Sequence, residues 1–432
     1  MPDQRNRSIF FATIFLGTIL LGAISFSQHL LAVGQSSAPR WWKGNLHTHS
    51  FWSDGDDFPE MIVDWYKKHG YNFLALSDHN TLQQGQRWID VPDKRQSAVD
   101  LYVKRFGTNW VEQRSAKNKP TVRLKQLGEF RTLFEEPNRF LLVPSEEISD
   151  HFGNIPIHLN ASNLRELIKP QGGKSVLDVM QNNVNAVLEQ RQRTGQPMMP
   201  HLNHPNFHWA VTAEDLMQLK GEKFFEVYNG HPGTRTLGDG QHASTERIWD
   251  IILTWRLSKL GLDPMFALAT DDSHFYHKFD STKSNPGRGW VMVKMDQLTP
   301  EKIVQAMEAG DFYASTGVRL KKILRDPKKL SVEVEPESGV NYKIQFIGTR
   351  TGFDSKHEPI RDGKGELRTT QHYSEDIGKI FSETSGTAAV YKVNGDEIYV
   401  RAKIISSRPK ANPSCANEFE VAWTQPLVTG IK

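Results

Sequence analysis

The sequence predicts an α/β fold: a parallel sheet of seven strands closed into a (β/α) barrel over residues 41–318, followed by a small antiparallel β domain over residues 320–432. Three observations predict it. Strand-length apolar runs alternate with helix-length amphipathic runs as far as Val318, the pattern of a parallel sheet with outer helices. Each strand-length run leads to a polar residue of the kind that binds metal or substrate: His49, His79, Glu147, His158, His204, Asn229 and Asp272. Beyond Leu320 the helical spacing stops, and short β-type runs separated by Gly, Pro, Asp and Asn take over.

Residues 1–38 stand apart from both domains. Arg5 and Arg7 precede an uncharged run of apolar and small residues, 8–27, and a polar stretch, 35–37. Ala32-Val33-Gly34 offers the small residues a signal peptidase requires, and the run is also long enough to remain as a membrane tether. With either a cleaved signal peptide or an N-terminal anchor, the body of the protein is expected to be exported, periplasmic or extracellular.

In chain order, Asp56 or Asp57 caps a helix with Pro59 in its first turn and Met61, Ile62, Trp65 and His69 along one face. Gly70 ends it, and residues 71–76 form a buried strand that delivers Asp78 and His79. After a long polar insert, 82–119, a helical segment stops before Pro137, and strand 140–143 delivers Glu146 and Glu147. A short strand, 155–157, contains Pro156 and leads to His158. A helix with Val176, Met180, Val184 and Val187 on one side stops at Gly195, and residues 197–200 lead to His201 and His204. Thr212 and Asp215 form a capping-box start before strand 224–228 and Asn229. Ser244 caps the helix of Ile248, Ile251, Ile252 and Trp255, and residues 265–269 lead to Asp271, Asp272 and His274. A last helix opens at Thr299-Pro300-Glu301 and ends near Gly310. The β-type runs that follow are 330–334, 342–346, 388–393, 397–405 and 418–423, and their scattered ionisable residues suggest no chemistry.

A chain of 432 residues with 38% hydrophobic residues can bury cores for both parts. Its net charge of +3, with no block of Lys or Arg, gives no reason to expect nucleic acid as a partner. Cys415 is the single cysteine, which excludes an intramolecular disulfide, a cysteine zinc site and a thiol nucleophile in the N-terminal region. Any metal must be held by His, Asp and Glu, ligands that suit zinc, manganese or iron.

His47 and His49 stand at i and i+2, so on an extended segment both imidazoles point to one place. Thirteen of the sixteen histidines lie between His47 and His277, and they do not all read alike. His69, His208, His242 and His277 read as solvated or capping residues; His151 and His231 are loop residues open to either reading. The remaining set, His47, His49, Asp54, His79, Glu147, His158, His204, Asp272 and His274, has more donors than one tetrahedral ion takes, and Glu147 is able to bridge two ions. Two or three divalent metal ions are therefore expected, because clustering these groups without cations would strand imidazoles among repelling carboxylates.

Five motifs now stand in order: His47-Thr-His49 with Ser53-Asp54-Gly55, Leu76-Ser-Asp78-His79-Asn-Thr81, Val143-Pro-Ser-Glu146-Glu147-Ile-Ser149, Asn203-His204-Pro205 and Thr270-Asp271-Asp272-Ser-His274. Over residues 44–318 this series resembles the PHP (polymerase and histidinol phosphatase) metallohydrolase family. The resemblance implies a distorted seven-stranded barrel and a two- or three-metal centre that hydrolyses phosphoesters with a metal hydroxide as nucleophile. It implies that His47, His49, Glu147 and Asp272 hold one ion, Glu147, His158 and His204 a second, and Asp54, His79 and His274 a third. Some members carry a ligand histidine just beyond the position of Asp54, where this chain has Gly55. His151 and His201 are rivals to His158, and Glu146 to Glu147.

Asp78 is expected to orient His79, and His274 or Asp272 to assist the leaving group. Asn229 reads as a substrate contact or a turn residue; Arg235, Lys283 and Arg288 lie in loops from which they could bind phosphate. The segment 308–317 resembles a branch of the family that includes carbamate and amide hydrolases, so those reactions, or ester hydrolysis on the same centre, form the alternative. An exported, non-enzymatic binding protein is the alternative of another class.

Overall fold

The buried runs form the parallel strands that the alternation predicts. Arg40–Asn45, Phe73–Leu76 and Leu141–Phe152 pair in parallel, and so do Met199–Leu202, Phe224–Asn229 and Phe266–Thr270. Phe73–Leu76 and Phe266–Thr270 are buried at every residue, which explains why they read as continuous apolar runs without alternation. The computed structural model describes residues 38–116, 119–362 and 365–429, so the expected leader lies outside the described residues except for Ala38. Among the described residues no helix is long and apolar enough to cross a membrane.

The all-parallel expectation fails at two places, at Trp290–Met295 and Phe312–Ser315, which pair antiparallel, and in a hairpin. Leu141–Phe152 and Ile155–Ser162 form an antiparallel hairpin, and Ile155–Ser162 pairs antiparallel with Met199–Leu202 as well. Only Gly153 and Asn154 separate the first two strands, with Gly153 in the left-handed region at φ 58°. A two-residue link closes a hairpin but is far too short for a parallel crossover. His158 consequently sits in the middle of a strand, opposite Ser149, and not at a strand end.

The far edge of this sheet returns to its start just beyond the strand ends. Thr48 bridges Ser273, the His49 N–H donates to Ser273 O at 3.0 Å, and the Asp272 N–H donates to His47 O at 3.0 Å. The first and last motifs are thereby stitched together by backbone. Helices cover the outside: Val176–Thr194 starts where Ser175 Oγ accepts from the Asp178 N–H, ends at Gly195, and buries Val176, Met180, Val184 and Val187. Thr245–Trp255 starts at Ser244 in the same way and buries Ile248, Trp249, Ile251 and Ile252.

The insert that reads as polar has a core of its own. Arg87–Asp90, Gln113–Ala116 and Lys119–Leu124 form an antiparallel sheet beside the helix Asp93–Phe106. Ile89, Val99, Tyr102, Val122 and Leu124 pack on Phe51, Trp52 and Phe58, the residues that follow the His47–His49 pair.

The C-terminal strands are antiparallel, as expected, and continue the same sheet. Trp290–Met295 and Phe312–Ser315, inside the expected barrel region, link the two parts by antiparallel pairing from Arg40–Asn45, and Phe312–Ser315 pairs with Phe419–Thr424. Tyr373, Ile377, Ile398, Tyr399 and Trp423 join the apolar cluster of the Thr245–Trp255 helix. Arg401 and Asp250, both buried, form a two-pronged ion pair there, Nε to Oδ1 at 2.8 Å and Nη2 to Oδ2 at 2.7 Å.

Candidate metal centre

The segment after Asn45 leaves its strand with His47 and His49 fully buried and pointing to one side. Their Nε2 atoms lie 3.1 Å apart. Glu147 and Asp272 complete the group: Asp272 Oδ1 is 3.2 Å from each Nε2, and Glu147 Oε2 is 3.5 Å from His47 Nε2 and 3.3 Å from His49 Nε2. Donors on a tetrahedron about 2.0–2.1 Å from a central ion are about 3.3–3.4 Å apart, so these separations match the edges such an ion would need. Glu147 Oε2 is buried and makes no well-aligned hydrogen bond, with three imidazoles around it: His47, His49 and, at 2.8 Å, His79 through Nδ1. Asp272 is held in the left-handed region at φ 49°, a strain that a non-glycine residue bears where its side chain is needed in one position.

The second oxygen of Glu147 belongs to another group. Oε1 lies 3.0 Å from His158 Nδ1 and 3.5 Å from His204 Nε2, and accepts from Asn203 Nδ2 at 2.7 Å. Glu147 thus faces two donor sets, one through each oxygen. A third group forms around Asp54: Oδ1 is 3.4 Å from His274 Nε2 and 3.5 Å from His49 Nδ1, and Oδ2 is 3.5 Å from His79 Nε2. His274 Nδ1 lies 2.9 Å from Asp272 O and donates to it, so its Nε2 turns a lone pair towards Asp54. That suits a ligand better than a proton donor.

The turn at residue 55 explains why Asp54 takes this place. The Gly55 N–H donates to Ser50 O at 3.0 Å, and a Cβ at Gly55 would meet His49 O at 2.6 Å. No side chain fits at position 55.

Charge in the cluster is balanced by protons in the way cations would balance it. Burial opposes ionisation of Asp272 and Glu147, yet His47 beside Asp272, and His79 and His158 beside Glu147, hold both carboxyls well below the usual range. Burial pulls His47 down, but Asp272 and Glu226 outweigh it and raise its pKa well above the usual value. His79 rises to about 11 against its burial, through Glu147 and Asp54. Burial, with the His274 and His79 rings alongside, pushes His49 down to about 3, leaving a neutral imidazole ready to ligate.

Glu226 was not singled out by the sequence reading. Its Oε1 is 2.7 Å from His47 Nδ1, fixing that ring with Nε2 towards the other donors, and its carboxylate also accepts from Thr270 Oγ1, the His204 N–H and Asn229 Nδ2. A signal was present: a lone carboxylate inside the apolar run Phe224–Asn229 is buried at a cost that calls for a partner.

No family model matches the chain, and no curated protein matches it. Several solved structures are similar to it, among them these three. One is a two-domain protein from Bacteroides vulgatus ATCC 8482, described as containing a predicted PHP-like metal-dependent phosphoesterase; it is 14% identical, with 90% of this chain and 95% of that one covered at a TM-score of 0.39. Another is a candidate metal-dependent phosphoesterase from Bifidobacterium adolescentis ATCC 15703, 12% identical over 55% of this chain and 89% of its own, with a TM-score of 0.27. The third is an amidohydrolase from Chromobacterium violaceum with bound sulfate and no metal, 12% identical over 54% and 88% of the two chains, with a TM-score of 0.26.

The structure brings the nine expected ligands, His47, His49, Asp54, His79, Glu147, His158, His204, Asp272 and His274, into one cluster. It separates them from two rivals, Glu146 and His151. Glu146 points to the other face of its strand, where the Ile168 N–H donates to it and burial raises its pKa to about 8. His151 is exposed in the hairpin turn, bonded to Gly153 O. His201 stays with the cluster: it is buried, its Nε2 lies 3.5 Å from Glu226 Oε1, and with His47 and Glu226 it forms a further donor group.

Asp78 does not touch His79 as expected. It accepts from the Ser50 N–H and from Ser50 Oγ, Ser53 Oγ and Gln83 Nε2, bracing the loop that carries His49, while His79 Nδ1 faces Ser149 and Glu147. Arg288 is no phosphate clamp: it is fully buried, with its guanidinium donating to the carbonyls of Gly230, Lys283, Asp280 and Asn412. Arg235 is exposed and lies 5.0 Å over the Trp209 ring. Asn229 is buried and spends its side chain on Glu226, Asp272 and the His231 N–H, so it positions Asp272 instead of meeting substrate.

Proposed function

We propose that this protein is an exported metal-dependent hydrolase of the PHP type, built on a distorted seven-stranded barrel, that cleaves a small-molecule phosphoester at a centre of two or three zinc, manganese or iron ions. One observation carries the reading: Glu147 stands between two donor sets with a different carboxylate oxygen in each. His47, His49, Glu147 and Asp272 would hold one ion, Glu147, His158 and His204 another, and Asp54, His79 and His274 the third. Bound there, such ions supply a nucleophile at neutral pH and offset the negative charge that develops on the substrate. The chain's own residues do the positioning. Glu226 orients His47, Asn203 orients Glu147, Asn229 orients Asp272, and Asp78 holds the loop of His49 through Ser50 and Ser53.

A second reading, hydrolysis of a carbamate, amide or ester on the same centre, is favoured by the enclosure of Arg288, which leaves the basic residue expected for phosphate unable to reach it. One assay separates the two. Purified protein with at least two equivalents of metal is expected to hydrolyse p-nitrophenyl phosphate faster than the matching carbamate and ester. The reverse order selects the second reading, and a folded, metal-loaded protein inert towards all three contradicts both.

A further inference from the structure

His231 lies on the loop after the Phe224–Asn229 strand and plays no part in the three donor groups. One hydrogen bond fixes its backbone and another its ring. The His231 backbone N–H donates to Asn229 Oδ1 at 2.8 Å, and the Gly233 N–H donates to His231 Nδ1 at 3.0 Å. The turn is packed closely on the ring, since a Cβ at Gly233 would stand 3.0 Å from its Cε1. A backbone N–H can donate to Nδ1 only if that nitrogen carries a lone pair, so the ring is the neutral tautomer with its proton on Nε2.

That N–H has no partner among the described residues. The half-buried ring faces the cluster: its centroid is 5.6 Å from His274 at 70°, and it stands 6.2 Å from Phe207, whose own ring lies 5.0 Å from His204. The side chain is therefore held by backbone at the rim of the metal groups, with one unused donor at its tip.

Resting on the hydrolase reading above, we propose that His231 is a fixed neutral donor whose Nε2–H hydrogen-bonds an oxygen of the substrate's scissile group. Such a donor is set in place before the reaction and strengthens its bond as charge grows on that oxygen, whether the group is phosphoryl or acyl. It also offers a contact to the substrate anion that needs no arginine.

Three substitutions separate this role from merely holding the turn. His231→Gln keeps an N–H near the ε position and loses the Nδ1 acceptor; His231→Asn keeps the acceptor and loses the donor; His231→Ala loses both. With p-nitrophenyl phosphate, kcat/KM is expected to fall about 100-fold in the Asn and Ala variants and to stay within about tenfold of wild type in the Gln variant. Metal content should be unchanged in all three. A Gln variant no more active than Asn overturns the proposal, as do three variants with wild-type rates. If metal-loaded wild type does not cleave the aryl phosphate, the failure lies with the phosphoesterase reading, and the affinity for orthophosphate then decides: tighter binding by Gln than by Asn supports the donor, and equal or reversed affinity removes it.

Discussion

At the scale of single residues, the third donor group depends on Asp54, which is half exposed while the ligands of the first group are buried. Asp54→Ala is expected to remove one equivalent of metal and keep the rest, as read by elemental analysis; loss of all metal would make Asp54 part of the primary site. Metal loading must also displace protons. Because Asp272 and Glu226 raise His47, and Glu147 and Asp54 raise His79, above the usual histidine value, those two rings hold protons that a metal ion must displace, and metal affinity should weaken as pH falls. Titrating metal into weakly buffered apoprotein at pH 7 should release protons, and a titration without release would contradict these charge assignments.

Away from the centre, Glu60 is fully buried with its Oε1 accepting from Tyr102 Oη at 2.6 Å and Trp110 Nε1 at 3.1 Å, and burial raises its pKa to about 7. The folded form therefore binds more protons than the unfolded chain between its ordinary value of 4.5 and about 7. Its contribution is complete below 4.5 and is lost as pH rises through 7. Glu60→Gln should flatten that part of a denaturant-derived stability–pH curve; an unchanged slope would place the titration elsewhere.

The clustering of these residues was legible in the sequence because imidazoles and carboxylates gathered at the ends of apolar runs are costly to bury together unless a cation joins them. Arg288 was misread, and Asn229 left open between two roles, because one chain cannot reveal which partners a polar side chain finds. Carbonyls from Gly230 to Asn412 enclose that arginine, and their sequence separation hid them.

At the scale of elements, alternation identified every strand that carries a ligand but not its direction. The hairpin 141–162 was decided by two residues, Gly153 and Asn154, and that link is visible in the sequence only if the missing helix is noticed. The insert hid its core for a related reason: its small sheet and helix bury apolar residues against Phe51, Trp52 and Phe58 outside the insert. The turn between these residues and Asp54 is the tightest part of the site. Gly55→Ala should cost about 1–3 kcal/mol through the contact with His49 O and displace Asp54 from the third group. Wild-type stability with all metal retained would show that the turn relaxes freely.

At the scale of the whole molecule, the antiparallel strands after Leu320 were legible from their spacing, whereas their continuity with the barrel sheet was not, since Phe312–Ser315 meets Phe419–Thr424 across about a hundred residues of chain. The contact includes the Arg401–Asp250 pair, which Tyr399 Oη also bonds at 2.8 Å. Removing one partner strands a buried charge, so Arg401→Ala should destabilise the chain by about 3–5 kcal/mol. Because the apolar cluster is shared, unfolding should remain a single transition; an early, separate loss of the β strands would show the interface to be weak.

The metal centre admits the most direct test. Anomalous diffraction from metal-loaded crystals, collected at the absorption edge of the bound metal, is predicted to show at least two peaks flanking the Glu147 carboxylate, one beside each oxygen. A single peak, or ions held away from Glu147, would contradict the bridged centre on which the function proposed for this chain rests.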